Sequence, residues 1–238
     1  MNETQARDAI CRMGERLYER GYLHGTVGNI SIRLPEAVLI TPTDACLGQL
    51  DPAALSKVSL TGEHLSGDRP SKTIALHQAI VAAARAFDPE TACVLHTHSH
   101  ACVARSLLLC SQPQATDVQA DTRIDAQTES PDFLPPITPY FVMKVGHVPH
   151  IPYARPGAAS VVQAVGSAIN AHGRAGHPIR AVMLARLGPN VWHSSPEGTL
   201  AVLEELEETA RLTLAVPQAE ALSDAVIDEL RSAFGARW

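Results

Sequence analysis

Two histidines, His96 and His98, close the apolar run Ala92-Cys93-Val94-Leu95-His96-Thr97-His98. In an extended chain, residues i and i+2 present their side chains to the same face. Two imidazoles converging from one strand end can ligate one divalent ion, and imidazole suits zinc, iron, nickel or copper. His100 continues the spacing, but the pattern turns helical there, so it need not point with the pair. The chain holds 11 histidines. Some clustering is therefore expected by chance, and the surrounding segments must decide what the pair is for.

Those segments read as one α/β domain of 238 residues. Hydrophobic residues make up 45% and charged residues 18%, enough apolar material for a sizeable core. A net charge of −6 argues against nucleic acid as a partner. No apolar run reaches the length of a membrane span, so no membrane partner is expected. The N-terminus lacks a basic stretch followed by an apolar one, so no secretory signal is visible. The five cysteines, Cys11, Cys46, Cys93, Cys102 and Cys110, are odd in number and show no C-x-x-C spacing. Reduced thiols in a cytoplasmic protein are the simplest reading.

From Thr4 to Tyr22, Ala6, Ile10, Met13 and Leu17 recur at helical spacing, and Gly21 follows as a stop. Gly25 and Gly28 mark a turn, after which Ile30 and Ile32 alternate as in a strand. Val38–Thr43 is a second short strand ending at Pro42, and residues 52–69 mix short strands with turns. Ser71 is the expected N-cap of a helix over Lys72–Ala86. The run ending in His96 and His98 is a buried strand, followed by a helix from Ser99 to Leu109. Residues 112–135 are polar and Pro-containing and read as a surface loop insertion. Val145–Tyr153 is strand-like but broken by proline, hence an edge. A helix over Ala158–Ala171, a buried strand over Ile179–Ala185 and an amphipathic helix over Pro196–Leu214 follow. The segment 216–238 holds a last helix, Ala219–Phe234. A central sheet covered by helices accounts for this order.

Four motifs occur in a telling order: Gly25-Thr-Val-Gly-Asn-Ile-Ser-Ile-Arg-Leu34, Leu39-Ile-Thr-Pro-Thr-Asp44, Leu65-Ser-Gly-Asp-Arg-Pro-Ser-Lys72 before a helix containing His77, and Val94-Leu-His-Thr-His-Ser99. Together they resemble the class II aldolase and adducin head family. The stretches Ile137–Gly157 and Leu203–Leu212 are similar to its 3-oxo-tetronate 4-phosphate decarboxylase branch, and the likeness covers roughly residues 5–215. The resemblance implies an α/β/α sandwich with a central, mainly antiparallel sheet, and a homotetramer with active sites at its interfaces. It implies a small anionic substrate whose phosphate is cradled by Gly28, Asn29, Thr43, Ser71 and Lys72. A helix start, hydroxyls and an ammonium group suit a dianion. It implies a divalent ion on His96 and His98, zinc first, with iron, manganese and cobalt as alternatives. That ion would stabilise the enediolate left when a C–C bond breaks. Tyr140 matches the tyrosine by which a neighbouring subunit donates a proton.

The sequence departs from the family's pattern at three places. Thr73 stands where the family has its acid/base glutamate, and threonine has no titratable proton near neutral pH. Leu187 stands where a third metal histidine belongs. Asp44 replaces a cradle glycine and adds a charge that repels phosphate. Three readings follow. A metal-dependent carbon–carbon lyase, decarboxylase or aldolase, leads; His193, His150, His147 or His100 could supply the missing ligand, and Arg186 could stabilise an oxyanion. The alternatives are a non-haem iron oxygenase on the same fold and a non-catalytic binding or assembly module.

Overall fold

In the computed structural model, which describes residues 1–111 and 131–238, one eight-stranded sheet is covered by helices on both faces. Helix α1 (Glu3–Glu19) opens the chain. Asn2 caps it reciprocally with Gln5, each side chain accepting from the other's backbone N–H. Gly21, at φ 71°, ends it, and the N–H of Tyr22 donates back to Leu17 O. That is the left-handed stop glycine permits. Strands β1 (Asn29–Arg33), β2 (Ala37–Ile40), β3 (Ser56–Ser59) and β4 (His64–Ser66) form an antiparallel meander. Helix α2 (Ile74–Ala84) leads to β5 (Cys93–His96), which pairs antiparallel with β1.

The chain continues through α3 (His100–Ser111), α4 (Pro139–Lys144), β6 (His150–Ile151), α5 (Ala159–Arg174), β7 (Ala181–Leu184), β8 (Gly188–His193), α6 (Pro196–Ala215) and α7 (Asp224–Phe234). The strand order is β4-β3-β2-β1-β5-β8-β7-β6, and only β6 and β7 run parallel. The expected single-domain α/β sandwich with a mainly antiparallel sheet is therefore what the chain forms. Strand β5 sits in the middle, between β1 and β8.

Alternation divides the core in two. Ile30, Ile32, Cys93, Leu95 and Val191 face a larger core closed by α1, α3, α4, α6 and α7. Val94, Val182, Leu184 and Trp192 face a smaller one closed by α2 and α5. His96, two residues from Val94, lies on the smaller side. The segment after it is anchored from the other side. Glu207 of α6 is 3% exposed, and its carboxylate accepts from Ala101 N at 2.7 Å and Cys102 N at 3.0 Å. These are N–H groups of the first turn of α3, where an anion is favoured.

Several expected elements are corrected. Residues 188–193 form a strand, β8, that the Gly-Pro-Asn start concealed. The short helix α4 is an addition, capped by Thr138, whose hydroxyl accepts from Phe141 N, with Pro139 in the first turn. The strand expected over 145–153 shrinks to the two residues of β6, at the sheet edge as its prolines require. Helix α2 starts at Ile74, not Lys72, and Ser71 does not cap it. Its Oγ lies 3.0 Å from Thr73 Oγ1 instead. Helix α7 starts at Asp224 rather than Ala219. Of the surface loop expected over 112–135, residues 112–130 lie outside the described residues. Phe133 and Leu134 belong to the larger core, at 0% and 1% exposure.

Glu207→Gln exchanges one of two charge-assisted acceptors for an amide donor facing an N–H. The expected loss is about 1–3 kcal/mol of unfolding free energy, read by urea denaturation. A change within about 0.5 kcal/mol, the range of an ordinary surface substitution, would refute the anchoring role.

Candidate active site

The end of β5 is gripped from both sides. On the β1 side, Asn29 pairs with His96. Gly28 precedes it at φ 86°, and a Cβ there would lie 2.9 Å from His96 O. On the β8 side, Gly188 has φ 140°, and a Cβ would lie 2.0 Å from Thr97 O. Only glycine fits either place. This close approach lets Pro189 O accept from Thr97 N at 3.3 Å and from His96 Nδ1 at 2.9 Å. A carbonyl only accepts, so His96 carries its proton on Nδ1 and keeps a lone pair on Nε2. The His98 ring stands edge-on to it, with centroids 5.0 Å apart. Strand β5 itself ends at His96, so His98 lies just past it but stays beside its partner.

Burial sets the protonation. It pushes His96 down to about 4, with a smaller contribution from His98, against the opposing effect of the Pro189 carbonyl. Burial also lowers His98, helped by the nearby His24. Both rings are thus neutral near neutral pH and have lone pairs to offer.

Asn29, the neighbour of His96, is held by a second buried histidine. His77 of α2 is wholly buried. Its Nε2 lies 2.6 Å from Asn29 Oδ1 and its Nδ1 2.7 Å from Ser31 Oγ. Burial, then the proximity of His96, lowers it to about 3. On the other flank Asn190 pairs with His96 across β5 and β8. It is 1% exposed, and neither atom of its amide has a hydrogen-bond partner among the described residues. Asn29, His96 and Asn190 therefore form one polar row across three strands. The sequence places His77 in the helix after the third motif without a role, and His24 and Asn190 carry no signal there. For His77 the signal was a histidine on the apolar face of a helix beside the motif containing Ser71.

The segments holding the other residues expected to cradle a phosphate are tied to this row. Ser71 N donates to Thr41 O, Thr43 N donates to Arg69 O, and Ile30 N donates to Thr41 Oγ1. These bonds tie the segments around Thr43 and Ser71 to β1. Ser71 is buried and Lys72 exposed. Asp44 keeps φ at 59°, the backbone a glycine would favour there. Arg186 is likewise left-handed at φ 64°, exposed, with its N–H donating to Ser106 Oγ at 3.0 Å. Tyr140 stands on α4 with its side chain 62% exposed, and α4 packs against α6 and α7. It is not a core tyrosine, and no contact among the described residues ties it to the histidine pair.

None of the four nominated third ligands joins the pair. His193 is at the far end of β8, opposite Cys93. His150 lies 3.0 Å from Ser106 Oγ and stacks on Phe133. His147 donates to Asp132 at 2.6 Å and stacks on Trp238. His100 is exposed at the start of α3. Leu187 packs against the smaller core. No group of three or more His, Cys, Asp or Glu among the described residues is arranged to hold an ion. Tested against a divalent ion, the described residues offer two well-suited donors and no third.

The buried His77 makes stability depend on pH. Its ring titrates near 6.5 when exposed and near 3 in the fold. Below pH 6.5 the unfolded chain takes a proton the native chain refuses, so stability is full above 6.5 and falls below it. Linkage gives about 2 kcal/mol less stability at pH 5 than at pH 7 from this ring. Denaturant titrations at both pH values test this. In His77→Gln that share of the loss disappears, and an unchanged pH dependence would contradict the assignment.

Residues 8–214 match the family described as Class II Aldolase and Adducin N-terminal domain. A 3-oxo-tetronate 4-phosphate decarboxylase of Cupriavidus necator is 46% identical over 242 residues, covering 99% of each chain. One from Pectobacterium atrosepticum is 37% identical, covering 89% of this chain and 84% of its own. The crystal structure of YgbL from Klebsiella pneumoniae superposes with a TM-score of 0.79 at 37% identity, covering 97% of this chain and all of that one. The chain belongs to the class II aldolase and adducin N-terminal domain family, and its relatives include 3-oxo-tetronate 4-phosphate decarboxylases.

Proposed function

We propose that this protein is a carbon–carbon lyase of the decarboxylase type, acting on a small phosphorylated 3-oxo sugar acid. One observation carries the reading: His96, oriented and neutral, lies in one row with Asn29 and beside the Thr43 and Ser71 segments. Asn29, Thr43, Ser71 and Lys72 bind the phosphate end. His96 and His98 face the acid end, with Nε2 of His96 turned outward from its Pro189 anchor. A divalent ion on the two rings, zinc first, would supply Lewis acidity at the keto oxygen. Loss of the acid/base glutamate bears less on decarboxylation than on aldol cleavage. The C–C bond of a 3-oxo acid breaks as CO2 leaves, with no prior proton abstraction from a hydroxyl. A proton must still reach the carbanionic carbon. The exposed Tyr140 of a neighbouring subunit in a cytoplasmic homotetramer fills that role, and Arg186 faces the developing oxyanion.

A second reading, ligand binding without turnover, is favoured by Leu187 and Thr73, which leave the ion short of a ligand and the site short of an acid. CO2 release from 3-oxo-tetronate 4-phosphate separates the two. The lyase reading expects release in the presence of zinc, manganese, cobalt or iron(II), falling at least about 100-fold in His96→Ala. Binding of the substrate without CO2 release under any of these ions would leave only the second reading.

A further inference from the structure

The buried chain Ser31–His77–Asn29 has a direction, and that direction decides what Asn29 can recognise. Ser31 is 1% exposed, and the one partner of its hydroxyl among the described residues is His77 Nδ1. A buried hydroxyl must place its hydrogen somewhere, since leaving a donor unmade is costly. The Ser31 hydroxyl therefore donates to Nδ1. A neutral imidazole with an accepting Nδ1 carries its proton on Nε2, and that N–H donates to Asn29 Oδ1. The carbonyl of the Asn29 amide is thereby used up inside the protein, and its NH2 group is turned to the free side.

We infer that His77 is a positioning residue, which locks the Asn29 amide with its NH2 toward the ligand and makes that edge of the site selective for anionic oxygen. Were the chain reversed, with the Asn29 NH2 donating to Nε2 and Nδ1–H donating to Ser31, the free edge would be a carbonyl that repels a phosphate or carboxylate. The direction is thus the difference between an anion site and its opposite. No charge is spent on it: both ends of the relay are neutral, and the ligand meets a fixed donor that needs no reorientation on binding. This rests on the proposal that Asn29 touches the substrate's phosphate.

Nitrogen NMR on histidine-labelled protein reads the relay without any substitution, with the His77 resonances identified by their loss in His77→Gln. The inference expects an Nε2–H ring with Nδ1 as acceptor, and an Nδ1–H ring overturns it. Titration with inorganic phosphate is the second arm. His77→Leu, which frees the Asn29 amide to rotate, should bind phosphate about 10- to 100-fold more weakly than the wild type. His77→Gln, which keeps an N–H for Oδ1, should recover most of that loss. Circular dichroism confirms that both variants are folded. A folded His77→Leu that binds phosphate as the wild type does would make His77 a packing residue only and overturn the inference. A wild type with the Nε2–H ring that binds no phosphate would instead sink the anion reading of the site, and this inference with it.

Discussion

The backbone of Gly188 lies against Thr97 at a distance no other residue allows, and the rest of the site follows from that contact. It brings Pro189 O within reach of His96 Nδ1, which fixes the ring's tautomer and aims Nε2 outward. Gly28 presses on the same segment from the β1 side, next to Asn29. The ends of three strands are therefore locked together by two missing Cβ atoms. Past the histidines, Glu207 holds the first turn of α3 and so fixes where the chain leaves the site. Rigid strands and a helix start hold His96, rather than a loop, which is the placement that precise chemistry favours.

The second constraint is dryness. Asn29, Ser31, His77, His96 and Asn190 all lie on the smaller core's side of the sheet and are all buried. In such surroundings an imidazole does not take up a second proton, and an amide is costly unless paired. His77 meets that cost with two hydrogen bonds. Asn190 does not meet it within the described chain. Neutral rings and the hydrogen-bonded Asn29 amide place polar groups here without buried charge, while Lys72 is exposed.

Much of this was legible in the sequence. The spacing of His96 and His98, the glycines before Asn29 and the amphipathic helices each carry a local signature, and each appears near its expected place, although β5 stops at His96 and α2 and α7 start later than their patterns suggest. What was missed depended on contacts distant in sequence. Strand β8 begins Gly-Pro-Asn and shows little alternation; β5 makes it a strand. Helix α4 announced itself only by Thr138 and Pro139, a short capping signal ahead of six residues. Ser71 was read as a helix cap because serine before an apolar run usually is one, yet its backbone is tied to Thr41 and its hydroxyl to Thr73. The failure of His193, His150, His147 and His100 to reach the pair could not be read from composition, since it turns on sheet register and face.

Its relatives include 3-oxo-tetronate 4-phosphate decarboxylases, while the family resemblance expects a histidine at Leu187 and a glutamate at Thr73. An ion held by His96 and His98 alone would be retained more weakly than one held by three histidines. The position of Leu187, on the turn that Gly188 presses against Thr97, is where a third donor would strengthen the site. The most direct measurement is the affinity for zinc of the wild type and of Leu187→His, by titration of metal-free protein. The account predicts one weakly held ion per chain in the wild type and binding at least about tenfold tighter in the variant. Equal affinities, or an ion whose binding survives His96→Ala, would contradict it.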